Sequence, residues 1–206
     1  MSTLKYLDVE LSILAGGKSS RMGSHKGNLK INNKDFVTHI VNEIGDMFSA
    51  INVIDNGQQK TKLSHVNYYH DKINLPKKSG LLGLHSALHY TKSKYCFIIS
   101  CDTPLVNRQI INIICQNKNK ADAVIPELDK INPLYGLYRK KPALSLAEDI
   151  LQGSDHWLMK MLKVLPTYYI NQEKLKKIDP NLSFGSNINT PNDYEKWVKT
   201  KTPPKN

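Results

Sequence analysis

Apolar and polar residues alternate over 9–12 and then give way to an apolar run ending at Ala15 (V-E-L-S-I-L-A). This is the pattern of a strand that becomes buried towards its end. The run passes directly into Gly16-Gly17. Positions 36, 37, 40, 41, 44, 47 and 48 are apolar and form one face of a helix over 36–48. Short apolar runs at 51–54, 66–69, 95–100 and 121–126 read as further strands, and 81–90 and 106–115 read as helices. Strand and helix alternate through the first 127 residues, the signature of a parallel sheet with helices on both faces. Ligands of such folds gather at the carboxyl ends of the strands. Here those ends carry Gly16-Gly17, Asp55-Asn56, Asp71 and Asp102.

The later chain is less regular. Strands are expected at 134–138 and 165–170 and helices at 142–151 and 156–162, with an antiparallel addition to the sheet somewhere in this late part of the chain. A polar loop over 181–192 precedes a last helix over 191–199, with Pro191 at its start where the missing N–H matters least. One domain over 1–200 and a disordered tail over 201–206 are expected.

Composition narrows the classes. No apolar run approaches the roughly 20 residues of a membrane span. The run at 11–15 is too short for a signal-peptide core, and Asp8 and Glu10 stand just before it. A cytoplasmic protein without membrane contact is expected. Three cysteines, Cys96, Cys101 and Cys115, include no Cys-x-x-Cys pair and suit a reducing compartment. The net charge of +11, from 29 Lys and Arg against 18 Asp and Glu, favours anionic partners. Many of the lysines fall in Asn/Lys-rich stretches such as 117–120 and 174–177, however, which read equally well as a solvated face.

The chemistry concentrates in Leu14-Ala15-Gly16-Gly17-Lys18-Ser19-Ser20-Arg21-Met22-Gly23, followed by Lys26. Paired glycines let backbone N–H groups approach phosphate oxygens, and Lys18, Arg21 and Lys26 add cations within nine residues. A P-loop would need glycine at position 12, which is Ser12, and Gly-x-Gly-x-x-Gly fails because Lys18 stands two places after Gly16. Asp102, in Ser100-Cys101-Asp102-Thr103-Pro104, follows the strand at 95–100. From the residues alone it serves either as a Mg²⁺ ligand or as the cap of the helix near Val106. His85 and His89 lie four apart on a helix but lack the Glu and third ligand of a metalloprotease motif. They read as surface or packing histidines, and Trp157, Trp197, Tyr168 and Tyr169 as packing aromatics.

The glycine-rich loop resembles the signature of the molybdenum cofactor guanylyltransferases. The other stretches follow in family order and spacing from about residue 11 to 197. Cys101-Asp102-Thr103-Pro104 matches the family's metal-site stretch. Asp71 with Ser79-Gly80-Leu81-Leu82-Gly83 resembles Asp followed by Gly-Pro-Leu-x-Gly. Asn132-Pro133-Leu134 stands where the family has His-Pro-Leu, and Asn187-Ile188-Asn189-Thr190-Pro191 matches its closing Asn-x-Asn-Thr-Pro. The chain departs from the pattern at Ser79, Gly80, Asn132 and His25, where Asp is usual; His25 is expected to alter local charge without loss of activity.

The resemblance implies a Rossmann-like α/β fold of the nucleotide-diphospho-sugar-transferase kind. It also implies transfer of GMP from GTP to the terminal phosphate of molybdopterin, with release of pyrophosphate. Leu14, Ala15, Gly16, Gly17, Arg21, Lys26, Asp55, Asn56, Asp71 and Asp102 would bind the nucleotide, with Arg21, Lys26 and Asp102 in the catalytic role. Asp102 would hold Mg²⁺, with Mn²⁺ as a substitute, and Gly80, Gly83, Asn187 and Asn189 would lie on the molybdopterin side. Molybdopterin-supplying proteins and acceptor molybdoenzymes are the implied partners, and nucleic acid is not. A cytidylyl- or sugar-phosphate nucleotidyltransferase is the alternative within this chemistry. A basic RNA- or anion-binding protein is the alternative outside it, opposed by the absence of an aromatic RNA-binding signature.

Overall fold

The computed structural model describes residues 5–16, 30–31, 34–75, 79–153, 156–188 and 192–193. The strands are β1 (Val9–Leu14), β2 (Lys30–Ile31), β3 (Lys34–Asp35), β4 (Ile51–Ile54), β5 (Asn67–Tyr69), β6 (Tyr95–Ser100), β7 (Ala123–Pro126), β8 (Tyr135–Arg139) and β9 (Thr167–Ile170). The helices are α1 (Phe36–Ile44), α2 (Gly80–Tyr90), α3 (Arg108–Gln116), α4 (Lys140–Gln152), α5 (Leu158–Val164) and α6 (Gln172–Lys176). Seven strands form one sheet in the order β5-β4-β1-β6-β8-β7-β9, and β2 pairs with β3 in a separate ribbon. Every pairing within the large sheet is parallel except those of β8, which runs antiparallel to both β6 and β7.

The period of two along each strand divides the interior into two cores. Val9, Leu11 and Ile13 of β1 and Tyr95, Phe97 and Ile99 of β6 face one side, where Ile40 and Ile44 of α1 and Ile110 and Ile114 of α3 cover them. Leu14, Cys96 and Ile98 face the other, under Leu81, Leu84 and Leu88 of α2 and Ala143 and Ala147 of α4. Fully burying an aliphatic or Phe side chain contributes about 1.5–3 kcal/mol relative to exposing it. The sheet is therefore the stiff part of the protein, and its loops are the part available to a ligand. A polar network is admitted between β1 and β4. Glu10 on β1 is buried, and its carboxylate accepts from Asn52 Nδ2 at 2.8 Å and from the N–H groups of Lys92 and Ser93 at 2.9 and 2.7 Å.

Several observed features differ from the expected ones. The helix expected over 36–48 stops at Ile44, and Gly45–Met47 form a 3₁₀ turn. A Cβ on Gly45 would lie 2.7 Å from Ile51 Cδ1, so the chain turns back tightly against the start of β4 here. A helix not expected, α6, covers 172–176, and its cap Asn171 accepts from Glu173 N–H; Lys174, Lys176 and Lys177 are exposed, as a solvated face requires. Trp157, expected to pack, is 55 % exposed and carries Lys163 Nζ 5.2 Å from its ring centroid. Most of the helix expected over 191–199, and the tail 201–206, lie outside the described residues.

Candidate active site

The parallel block β5-β4-β1-β6 brings the four polar strand ends to one edge, with β1 in the middle. Its ladder continues past Leu14 on both sides: Ala15 N–H donates to Ile54 O at 2.9 Å, and Cys101 N–H donates to Leu14 O at 3.0 Å. Gly16 emerges between them. A Cβ here would meet Asn56 Nδ2 at 2.4 Å, so any other residue would displace Asn56 or the strand end. Leu14 and Ala15 are buried, which leaves their backbone as what they can offer a ligand. Gly17, Arg21, Lys26 and Asn189 lie outside the described residues.

On the β4 side, Asn56 and Asp71 are locked to each other. Asn56 Nδ2 donates to Asp71 Oδ2 and Asp71 N–H donates to Asn56 Oδ1, each at 2.9 Å. The turn that presents Asn56 is left-handed at two consecutive residues, Asn56 at φ 53° and Gly57 at φ 75°. Asparagine and glycine are the residues that tolerate this region. Asp55 makes the turn: its carboxylate accepts from Gly57 N–H at 3.0 Å and Gln59 N–H at 3.1 Å. Asp55 is 1 % exposed. Of the pair Asp55 and Asn56 expected to contact the nucleoside, Asp55 has its side chain turned into the protein and Asn56 faces Gly16. Gln59 Nε2 extends the network to Asp35 Oδ1, the cap of α1.

On the β6 side, Asp102 does not cap a helix. The chain turns at Cys101-Asp102, where Thr103 N–H donates to Ser100 O at 3.0 Å, and reaches α3 only at Asn107, which caps it by accepting from Gln109 and Ile110 N–H. The closing segment docks directly onto Asp102-Thr103. Ile188 N–H donates to Asp102 O at 2.7 Å, and the buried Thr103 hydroxyl donates to Asn187 Oδ1 at 2.9 Å. Buried Phe184 and Ile188 anchor the segment, with Phe184 packed on Tyr135 at 5.2 Å between ring centroids. Two stretches 84 residues apart therefore form one wall. Among the described residues no three of His, Cys, Asp and Glu gather into a metal cage. The single carboxylate of Asp102 is a hard oxygen donor, which fits Mg²⁺ held mainly by substrate phosphates and water.

Helix α2 aims its N-terminus at the same edge. A Cβ on Gly83 would lie 3.2 Å from Leu14 Cδ1, and one on Gly80 would lie 3.3 Å from Leu158 Cδ2. Both glycines let the helix sit close to its neighbours. The departures at 79 and 80 make an ordinary helix start: Ser79 Oγ accepts from Leu82 N–H, and Gly80 is the first helical residue. Asn132, in place of the family's His, has a structural use, since its Oδ1 accepts from Leu134 N–H at 3.0 Å. His85 is buried, with Nε2 3.6 Å from a Glu148 carboxylate oxygen. His85 and His89 line a cavity of about 400 Å³ with Lys72, Ile73, Glu148, Leu151 and Gln152. All three thiols are buried, and burial pushes Cys96 up to about 11, so no thiolate nucleophile arises there.

Three residues of this constellation stand apart from the expected ligands. Thr103 had a signal in the sequence, since it sits inside the Cys-Asp-Thr-Pro stretch. Ser79 had one too, as a serine directly before an apolar helical run. Gln59 had none, because its role exists only once β4 and α1 are side by side.

The sequence profile of the MobA-like NTP transferase domain matches residues 11–166. The chain is 31 % identical to a molybdenum cofactor guanylyltransferase of Syntrophotalea carbinolica, over 90 % of this chain and 88 % of that one. Among solved structures it is similar to molybdopterin-guanine dinucleotide biosynthesis protein A from Archaeoglobus fulgidus, with a TM-score of 0.78 at 21 % identity, covering 94 % of this chain and all of that one. It also shares its fold with 2-C-methyl-D-erythritol 4-phosphate cytidylyltransferase from Thermus thermophilus, with a TM-score of 0.70 at 11 % identity over 94 % and 98 % of the two chains.

A mostly parallel sheet with a glycine-ended central strand, flanked by Asn56–Asp71 and by Asp102, defines a nucleotidyltransferase. The profile match covers more than half of the chain and the identity to the Syntrophotalea protein runs through nearly all of it. The chain belongs to the MobA-like NTP transferase family.

Proposed function

We propose that the protein transfers GMP from GTP to the terminal phosphate of molybdopterin, forming the guanine dinucleotide cofactor and pyrophosphate. The observation that carries this reading is the identity of 31 % to the Syntrophotalea guanylyltransferase, spread over 90 % of this chain. The attacking phosphate is ionised at neutral pH, so the reaction needs no strong base. The work left to the protein is in-line positioning and neutralisation of charge.

In this reading the backbone of Leu14, Ala15, Gly16 and Gly17 approaches the nucleotide, and Arg21 and Lys26 bind its phosphates. Asn56 and Asp71 contact the nucleoside as one rigid unit. Asp102 holds Mg²⁺, which neutralises phosphate charge. Gly80 and Gly83 shape the wall on the molybdopterin side, where Asn187 and Asn189 bind. The turn at Asp102–Thr103, tied to Asn187, sets the two substrates' sides at a fixed separation. A cytoplasmic setting suits three free, buried cysteines. No helix among the described residues is long and apolar enough to cross a membrane.

The test is product analysis. Incubation of the protein with GTP, Mg²⁺ and molybdopterin should yield a species heavier than molybdopterin by one guanylyl group, together with pyrophosphate. Absence of that species with active molybdopterin would refute the reading.

A further inference from the structure

Ser86 lies in the middle of α2 and is fully buried. Nothing in the helix or the core calls for serine here. Serine is a poorer helix former than alanine, and its bond back to the carbonyl four residues earlier, Ser86 Oγ to Leu82 O at 2.9 Å, adds little to a helix. The informative partner lies outside the helix. Ser86 Oγ accepts from Lys72 N–H at 2.9 Å, and Asp71 Oδ1 is 3.5 Å away. The same oxygen therefore fixes the backbone immediately after Asp71 and borders its carboxylate.

We propose that Ser86 is a positioning residue for the nucleotide site, holding Asp71 against Asn56 and hence against the Gly16 strand end. This rests on the reading above that Asp71 contacts the nucleoside. The geometry is a three-point mount. Asp71 N–H is taken by Asn56 Oδ1, its Oδ2 accepts from Asn56 Nδ2, and the following peptide is taken by Ser86. The two Asn56 contacts and the β4–β5 ladder, continued by Asp55 N–H to Tyr69 O at 3.1 Å, hold the side of Asp71 that faces β4. The Ser86 contact ties its far side to α2, which is packed on β1 through Gly83 and Leu14. Without the hydroxyl, Lys72 N–H loses its acceptor in a part-buried place, and the peptide must shift to find another.

The proposal is tested by titrating GTP with Mg²⁺ into the unsubstituted protein and into Ser86→Ala, Asp71→Ala and the double variant, with unfolding temperatures measured alongside. Ser86→Ala is expected to weaken GTP binding about tenfold, the size of one neutral hydrogen bond, while remaining folded. Ser86→Cys, similar in size but a weak acceptor, is expected to weaken it to a like degree. In the Asp71→Ala background the Ser86→Ala effect should fall to about twofold or less, because Ser86 acts through Asp71. A merely structural serine would lower the unfolding temperature and leave affinity alone. Full affinity in both Ser86 variants would overturn this proposal and leave the guanylyltransferase reading standing, as would a tenfold loss that persists undiminished without Asp71. Failure of the unsubstituted protein to bind GTP would overturn both.

Discussion

The Thr103 hydroxyl donates to Asn187 Oδ1 at 2.9 Å, and the next residue, Ile188, donates its N–H to Asp102 O. The end of β6 and the closing segment are thus a single structure, and the backbone of the proposed metal carboxylate is held from the proposed molybdopterin side. Thr103→Val removes the hydroxyl from a fully buried position without changing the volume much. The KM for molybdopterin is expected to rise about five- to tenfold, the effect of one lost hydrogen bond, with GTP affinity unchanged. Steady-state kinetics with each substrate varied in turn checks this split.

Asp102→Asn is expected to lower Mg²⁺-dependent turnover at least about hundredfold, since stabilisation by a bound metal amounts to several kcal/mol. The fold should persist, because the structural contact of residue 102 with Ile188 is made by its backbone carbonyl. Pyrophosphate release with an unfolding curve alongside is the measurement. Turnover near that of the unsubstituted enzyme would remove the metal from this residue.

Gly16→Ala puts a methyl group 2.4 Å from Asn56 Nδ2. Either the strand end or the Asn56–Asp71 unit must move, and displacement of about 1 Å in a positioned site can cost about a hundredfold in rate. A loss of that order in kcat/KM for GTP is expected, with little change in unfolding temperature because the clash lies at the edge of the core. Single-turnover kinetics on the variant tests it.

Stability should fall on mild acidification. Burial holds the His85 imidazole below its ordinary value, against the opposing pull of Glu148. The unfolded chain therefore takes up a proton at a higher pH than the folded one. The contribution of neutral His85 is complete above the ordinary histidine range and is lost as pH falls from there through the lower folded-state value. His85→Leu should flatten the unfolding temperature over this window, leaving the dependence from His89, which burial also lowers. An unchanged slope in the variant would count against the assignment.

The strands that build the site were legible because each ends in residues a strand cannot use: Gly16-Gly17 after 9–15, Asp55-Asn56 after 51–54, and Asp102 after 95–100. Parallel order then brings those ends to one edge without further information. What was hidden depends on pairing. The strand near 134–138 was visible as an element, but the apolar pattern of Tyr135–Arg139 does not encode its insertion between β6 and β7. Asp55 and Asn56 are adjacent and both polar, and only the left-handed turn decides that one faces inward and the other Gly16. Ser86 sits within an apolar helical run and gave no sign of its tie to residue 72.

Base selection carries the central claim. Guanine offers N1–H and N2–H₂ donors, whereas cytosine offers one amino donor and two acceptors. A site built for guanine leaves acceptors unpaired with CTP, at about 1–3 kcal/mol for each lost partner. The direct measurement is pyrophosphate release by the purified protein with Mg²⁺ and molybdopterin, supplied with GTP, ATP, CTP and UTP in turn. The account predicts the highest kcat/KM with GTP, and CTP about tenfold or more below it. Faster turnover with CTP than with GTP would contradict the guanylyl assignment.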